Sequence, residues 1–188
     1  MSNSEAAAVL TTPDLAEALR AVRTLLAVAD TQGAEVDLEA TVHSPEVVGR
    51  VKEVLPGLQW WAVAGKEKGS SEAGDAPVAC LPITVFDWCR PLDRAEPFIA
   101  ALADSAAAVR WDLDAWPEVP EAGLEEVSQK FAYLTLSVNS RDLFRDEPSQ
   151  DHTVHVHTRG GDAHAARVAW LAACIGSTPT GRVESSSL

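Results

Sequence analysis

With 188 residues, 46% of them hydrophobic, and a formal net charge of −13, the chain has the composition of one globular domain able to bury about two-thirds of its unfolded surface. No apolar run approaches the roughly 20 residues of a membrane span. The charge opposes nucleic acid and anionic membranes, polyanions that repel such a field over a Debye length of about 8 Å, and favours a basic or neutral partner.

The first residues, Met1 to Ala8, carry neither a basic start nor the long apolar region of a secretory signal, so the cytoplasm is the expected location. The three cysteines, Cys80, Cys89 and Cys174, match no zinc or redox spacing and are expected as reduced, mostly buried thiols. Cys89 lies beside Asp87, which raises a thiol pKa, so a structural role fits it better than that of a nucleophile.

Thr12, Pro13 and Asp14 open a helix whose Leu15, Leu19, Val22, Leu26 and Ala29 recur at three- and four-residue steps down to Gly33. Val36 to His43 then alternates as a strand, with Val36, Leu38, Ala40 and Val42 inward and Asp37, Glu39, Thr41 and His43 outward. Ser44 and Pro45 cap a second helix that ends at Pro56-Gly57. Leu58 to Ala64 reads as a strand in which Trp60 and Trp61 take opposite faces, one of them partly exposed. Gly65 to Asp75, rich in Lys, Ser, Glu and Gly, reads as a mobile hairpin loop.

Val78 to Phe86 reads as a strand that Pro82 marks as an edge or an irregularity. A helix follows from about Asp93 to Ala108, and Val109 to Asp114 returns as a strand with Val109, Trp111 and Leu113 opposite Arg110, Asp112 and Asp114. A proline-rich acidic connector, Ala115 to Glu126, leads to an alternating strand over Lys130 to Asn139. Thr153 to Thr158 alternates again, with Val154 and Val156 toward the core and His155 and His157 away from it. Gly160-Gly161 breaks this strand, Asp162 stands where an N-cap belongs, and Ala163 to Ile175 reads as a largely buried helix stopped by Gly176.

From Val36 to Asp114 the order strand, helix, strand, strand, helix, strand resembles ferredoxin-like sandwiches, in which helices cover one sheet face and leave the other open. The expected fold class is therefore α+β: a two-layer α/β sandwich on a mostly antiparallel sheet, its ferredoxin-like βαββαβ unit extended by two further strands and a C-terminal helix. One domain over residues 1–182 is expected, with a frayed tail at 183–188.

His155 and His157, two apart on one strand, project side by side as a metal pair would, yet no spacing selects a third ligand; no metal or other cofactor is expected, and if one binds it is on these two. His155-Val156-His157 with Asp162 resembles the metal motif of cupins, and His155 to Thr158 resembles the His-x-Thr motif of 2H phosphoesterases. A helix follows at once where cupins are all-β barrels, and the second phosphoesterase motif is missing because His43-Ser44 has the wrong spacing. Solvent-exposed strand histidines are the expectation, so His155→Ala should cost under about 1 kcal/mol and Val156→Asp several. Arg159-Gly160-Gly161 before a helix could cradle a phosphate, although Asp162 would compete for that anion site.

Two functions follow. The first is a non-enzymatic acidic module that binds a basic protein partner through Trp111, Asp112, Asp114, Trp116, Glu118 and Glu121, carboxylates beside aromatic anchors. In size and charge such a chain resembles the small immunity proteins, or antitoxins, of bacterial toxin systems. The second is a small-molecule-binding domain or metal-dependent enzyme that lines the open face with His43, Tyr133, Thr135, His155, His157 and Arg159, together with Asp112 and Asp114. An uncovered face bearing tryptophans could also be buried in a homodimer.

Overall fold

The computed structural model describes residues 4–63, 68–70, 78–145, 148–180 and 184–186. In chain order its elements are β1 (Ser4–Thr12), α1 (Leu15–Val28), β2 (Glu35–Val42), α2 (Pro45–Val54), β3 (Gln59–Ala62), β4 (Lys68–Ser70), β5 (Ile83–Arg90) and α3 (Ala95–Ala101). They continue with β6 (Ala107–Asp112), β7 (Ala115–Trp116), β8 (Val127–Ser128), β9 (Tyr133–Val138), β10 (His152–Arg159), α4 (Asp162–Cys174) and β11 (Glu184–Ser186). The chain is an α+β sandwich: nine strands form one sheet in the order β11-β1-β10-β9-β6-β2-β5-β3-β4, antiparallel at every step, and β7 pairs with β8 apart from it. None of the described helices is long and apolar enough to cross a membrane.

Period-two alternation sorts the two faces. Val36, Leu38, Ala40 and Val42 of β2, Val109 and Trp111 of β6, Leu134 and Leu136 of β9, and Val154 and Val156 of β10 join one buried cluster. The helices bring Leu25, Val51, Phe98 and Leu171 into the same cluster, so all four cover that face. Their starts are local: Asp14 caps α1 by accepting from Ala16 N at 2.9 Å, and Ser44 caps α2 by accepting from Glu46 N at 3.2 Å.

The sheet divides into two quartets of like order. In the first, β6-β2-β5-β3, helices follow β2 and β5; in the second, β9-β10-β1-β11, helices follow β10 and β1. The quartets meet at β6 and β9, where Val109 faces Leu136 in an antiparallel and so locally twofold pair.

Several expectations are corrected. Ser4–Thr12, to which the sequence assigns no element, is a strand that pairs along β10, since cross-strand packing outweighs the weak β propensity of its alanines. Glu184–Ser186, within the expected frayed tail, pairs with Ser4–Ala6. The third helix ends at Ala101 because Ala107 and Ala108 are drawn into β6, opposite Ala40 and Glu39. Val78–Cys80 is a 3-10 turn, and Pro82 precedes β5, which lies inside the sheet between β2 and β3. Gly161, at φ +113°, is the N-cap of α4 and Asp162 its first residue. Of its described side chains this helix buries the stripe His164, Arg167, Val168, Leu171 and Ala172, with Trp170 and Cys174 half-buried. The expected loop over Gly65 to Asp75 lies outside the described residues except for Lys68–Ser70, where Gly69 passes so close to the Trp60 ring that a Cβ would come within 2.7 Å.

Candidate functional site

The sheet face away from the helices carries His155 and His157 of β10, Tyr133, Thr135 and Ser137 of β9, Ala108 and Arg110 of β6, and Asp37 and Glu39 of β2, as register partners across four strands. The connection from β9 to β10 folds over this face. Arg145, on that connection, donates to Glu39 on β2, and Thr153 donates to the Ser140 carbonyl at 3.3 Å. The histidines therefore point away from the helices and are still buried, His155 at 3% and His157 at 1% exposure. This overturns the expectation of solvated strand histidines, because alternation assigns a face and says nothing of what a distant loop lays over it.

Beneath the connection lies a cavity of about 550 Å³, lined by Asp37, Glu39, Trp88, Ala108, Arg110, Thr135, Leu143, Phe144, Arg145 and His157. Arg110 organises its polar wall: Nε donates to Asp112 Oδ1 and Nη2 to Asp37 Oδ2, both at 2.7 Å, and the guanidinium lies 5.3 Å from the Tyr133 ring centre. Burial works to lower the Arg110 pKa, but Asp112 and Asp37 more than offset it. Burial also pushes the Asp112 carboxyl up, against the pull of Arg110. The charges facing the cavity are thus paired in place.

His157 shares a 2.9 Å hydrogen bond between its Nε2 and Thr135 Oγ1, and Tyr133 meets it edge-on at 5.7 Å. Its Nδ1, His155 Nε2 and Ser137 Oγ are buried with no hydrogen-bond partner among the described residues. Burial, with the nearby His155 and Arg110, holds the His157 pKa down at about 3; burial holds that of His155 at about 4, with Asp142 pulling the other way. Both rings are neutral at physiological pH. Trp88 and Phe144, each 52% exposed, give the cavity an aromatic mouth, and Trp88 continues outward into a tilted row with Phe86 at 4.8 Å and Trp61 at 4.3 Å from Phe86.

Thr135 and His157 line this cavity, with Tyr133 and His155 adjoining it on the same face. His43 is exposed beyond the end of β2, and Arg159 is exposed over the Phe131 ring at 5.5 Å, so neither joins them. Asp112 is held by Arg110, and Asp114 accepts from Gly33 N. Trp111 and Trp116 are buried in the core, 2% and 0% exposed, and correct the expectation of aromatic anchors on the acidic connector. Trp116 Nε1 donates instead to the His157 carbonyl at 2.7 Å. Glu118, Glu121, Glu125 and Glu126 are exposed as expected of a solvated or partner-facing segment.

Among the described residues no group of three His, Cys, Asp or Glu side chains is placed to hold a metal ion. Of the thiols, Cys89 is exposed and Cys80 and Cys174 half-buried, a correction to the expected burial. A hydrogen bond with Glu35, then burial and nearby carboxylates, push the Cys89 thiol up, which disfavours the nucleophilic thiolate. Sequence reasoning placed Asp37, Glu39 and Arg110 outward on their strands without joining them into a site. Leu143, Phe144 and Arg145 carry no periodic signal at all. No family model, no curated protein and no solved structure matches the chain.

Proposed function

We propose that this chain is a non-enzymatic small-molecule-binding domain whose site is the open-face cavity. The observation that supports it is the convergence of Arg110, Thr135, His157, Asp37 and Glu39 on one ligand-sized space with an aromatic mouth. Binding suits these groups better than proton transfer. An imidazole with a pKa near 3 is a poor base at neutral pH, and both carboxylates are engaged by arginines. With its charges paired internally, the cavity favours an uncharged, partly aromatic ligand bearing a polar group. Ala108→Phe would fill the cavity from its own wall. Neutral aromatic fragments detected by ligand-observed NMR should bind the parent and not this variant; equal binding to both, or to neither, removes the reading.

A second reading, an acidic immunity-like or antitoxin-like module in the cytoplasm that takes a basic protein partner, is supported by the exposed Trp61 and Trp88 and by the exposed Glu118, Glu121, Glu125 and Glu126. Its anchors would be these two rings in place of Trp111 and Trp116. A homodimer through the same aromatic row is the competing use of that surface. Sedimentation of the parent and of Trp88→Ala separates them: a dimer lost in the variant supports self-association, and a monomer in both leaves the row free for a partner.

A further inference from the structure

Beyond the open-face cavity, a second cavity of about 350 Å³ opens at the other face, where the N-terminus of α4 meets the acidic connector. It is lined by Thr158, Arg159, Gly160, Ala163 and Arg167 on one side and by the connector from Gly123 to Val127 on the other. We propose that this cavity is a binding site for a phosphate group, whether free phosphate or part of a small metabolite.

The argument rests on Arg167. Its residue is 2% exposed, and its Nη1 and Nη2 donate to the carbonyls of Pro117 and Glu125 at 2.7 and 2.5 Å. Its Nε, also buried, has no partner among the described residues. Arg23, Arg90, Arg110, Arg141 and Arg145 each sit on a carboxylate, whereas among the described residues Arg167 meets only carbonyl dipoles and the Trp170 ring at 5.6 Å. A buried cation without a counter-charge is costly, and an anion would relieve that cost.

The surroundings suit such an anion. Arg159 brings a second guanidinium that pairs with no carboxylate among the described residues. The N-terminus of this 13-residue helix directs backbone N–H groups and the positive end of its dipole to the same place, and its N-cap, Gly161, has no side chain to occupy them. Glu125 and Glu126 line the cavity and the Glu5 carboxylate lies against Gly160, 3.7 Å from His164 Nδ1; all three oppose the anion, which yields a test in the opposite direction.

The experiment is a calorimetric titration of the full chain with inorganic phosphate at neutral pH, with sodium chloride of equal ionic strength as the control. Saturable one-to-one binding is expected. It should weaken at least about tenfold in Arg159→Gln and in Arg167→Lys, and tighten in Glu125→Gln. Circular dichroism checks that Arg167→Lys keeps its fold, while Arg159→Gln, at an exposed position, tests the site independently. Heat reproduced by chloride, no saturation by phosphate, or unchanged affinity in Arg159→Gln overturns the proposal.

Discussion

Thr135 and His157, on neighbouring strands, hold each other by a single hydrogen bond on the buried floor of the open-face cavity. Breaking it from either side has different consequences. Thr135→Val leaves both imidazole nitrogens unpaired in the interior and should cost about 1–3 kcal/mol. His157→Ala strips the same hydroxyl of its partner and opens a void as well, for about 2–4 kcal/mol. Urea unfolding of the two single variants and the double variant checks this, and strict additivity would show that the pair is not coupled.

Acid should weaken the fold earlier than its carboxylates alone would. The unfolded chain protonates His155 and His157 near pH 6.5, the folded chain only near about 4 and about 3. Between those values the unfolded state binds more protons, so stability is full above pH 6.5 and falls as the pH falls, by about 1.4 kcal/mol per pH unit for each histidine. Urea midpoints at pH 7, 6 and 5 should decline in the parent and decline less steeply in His157→Gln. A flat profile from pH 7 to 5 would contradict burial of these rings.

Trp116→Phe probes how the connector is joined to the histidine strand. The change removes the indole N–H that meets the His157 carbonyl and leaves a gap in the core. A loss of about 1.5–3 kcal/mol is expected from the two effects, read as a lower thermal midpoint. Glu118→Gln, on the exposed part of the same connector, should leave the midpoint unchanged.

Strand parity itself is testable at β10. Val156 is fully buried among the helices, and Val156→Asp places a carboxylate there at a cost of several kcal/mol. His155→Ala, once expected to be mild, should now cost about 2 kcal/mol or more because the ring fills a closed space on the other face. Comparable melting temperatures for His155→Ala and the parent would place the β9–β10 connection elsewhere.

Much of the framework was legible because it depends on local chemistry: Val36–Val42 and Leu134–Val138 alternate, and Asp14, Ser44-Pro45 and Gly176 mark helix ends. What escaped is what depends on distant partners. Ala6, Ala7 and Ala8 have no intrinsic reason to be a strand until β10 lies beside them. The burial of His155 and His157 depends on a connection whose anchor, Arg145, meets a carboxylate 106 residues away. Trp111 and Trp116 looked like surface anchors because carboxylates adjoin them in sequence, yet the rings turn inward.

The seam between the two strand quartets runs through Arg110 and Thr135, which face each other across β6 and β9. Two units of matching strand order are joined there edge to edge, by the pairing of β6 with β9. The cavity spans the join, with Arg110 contributed by one quartet and Thr135 and His157 by the other. Neither quartet alone carries the pocket, so a ligand held there would be gripped from both sides of the β6–β9 pairing and would resist its separation.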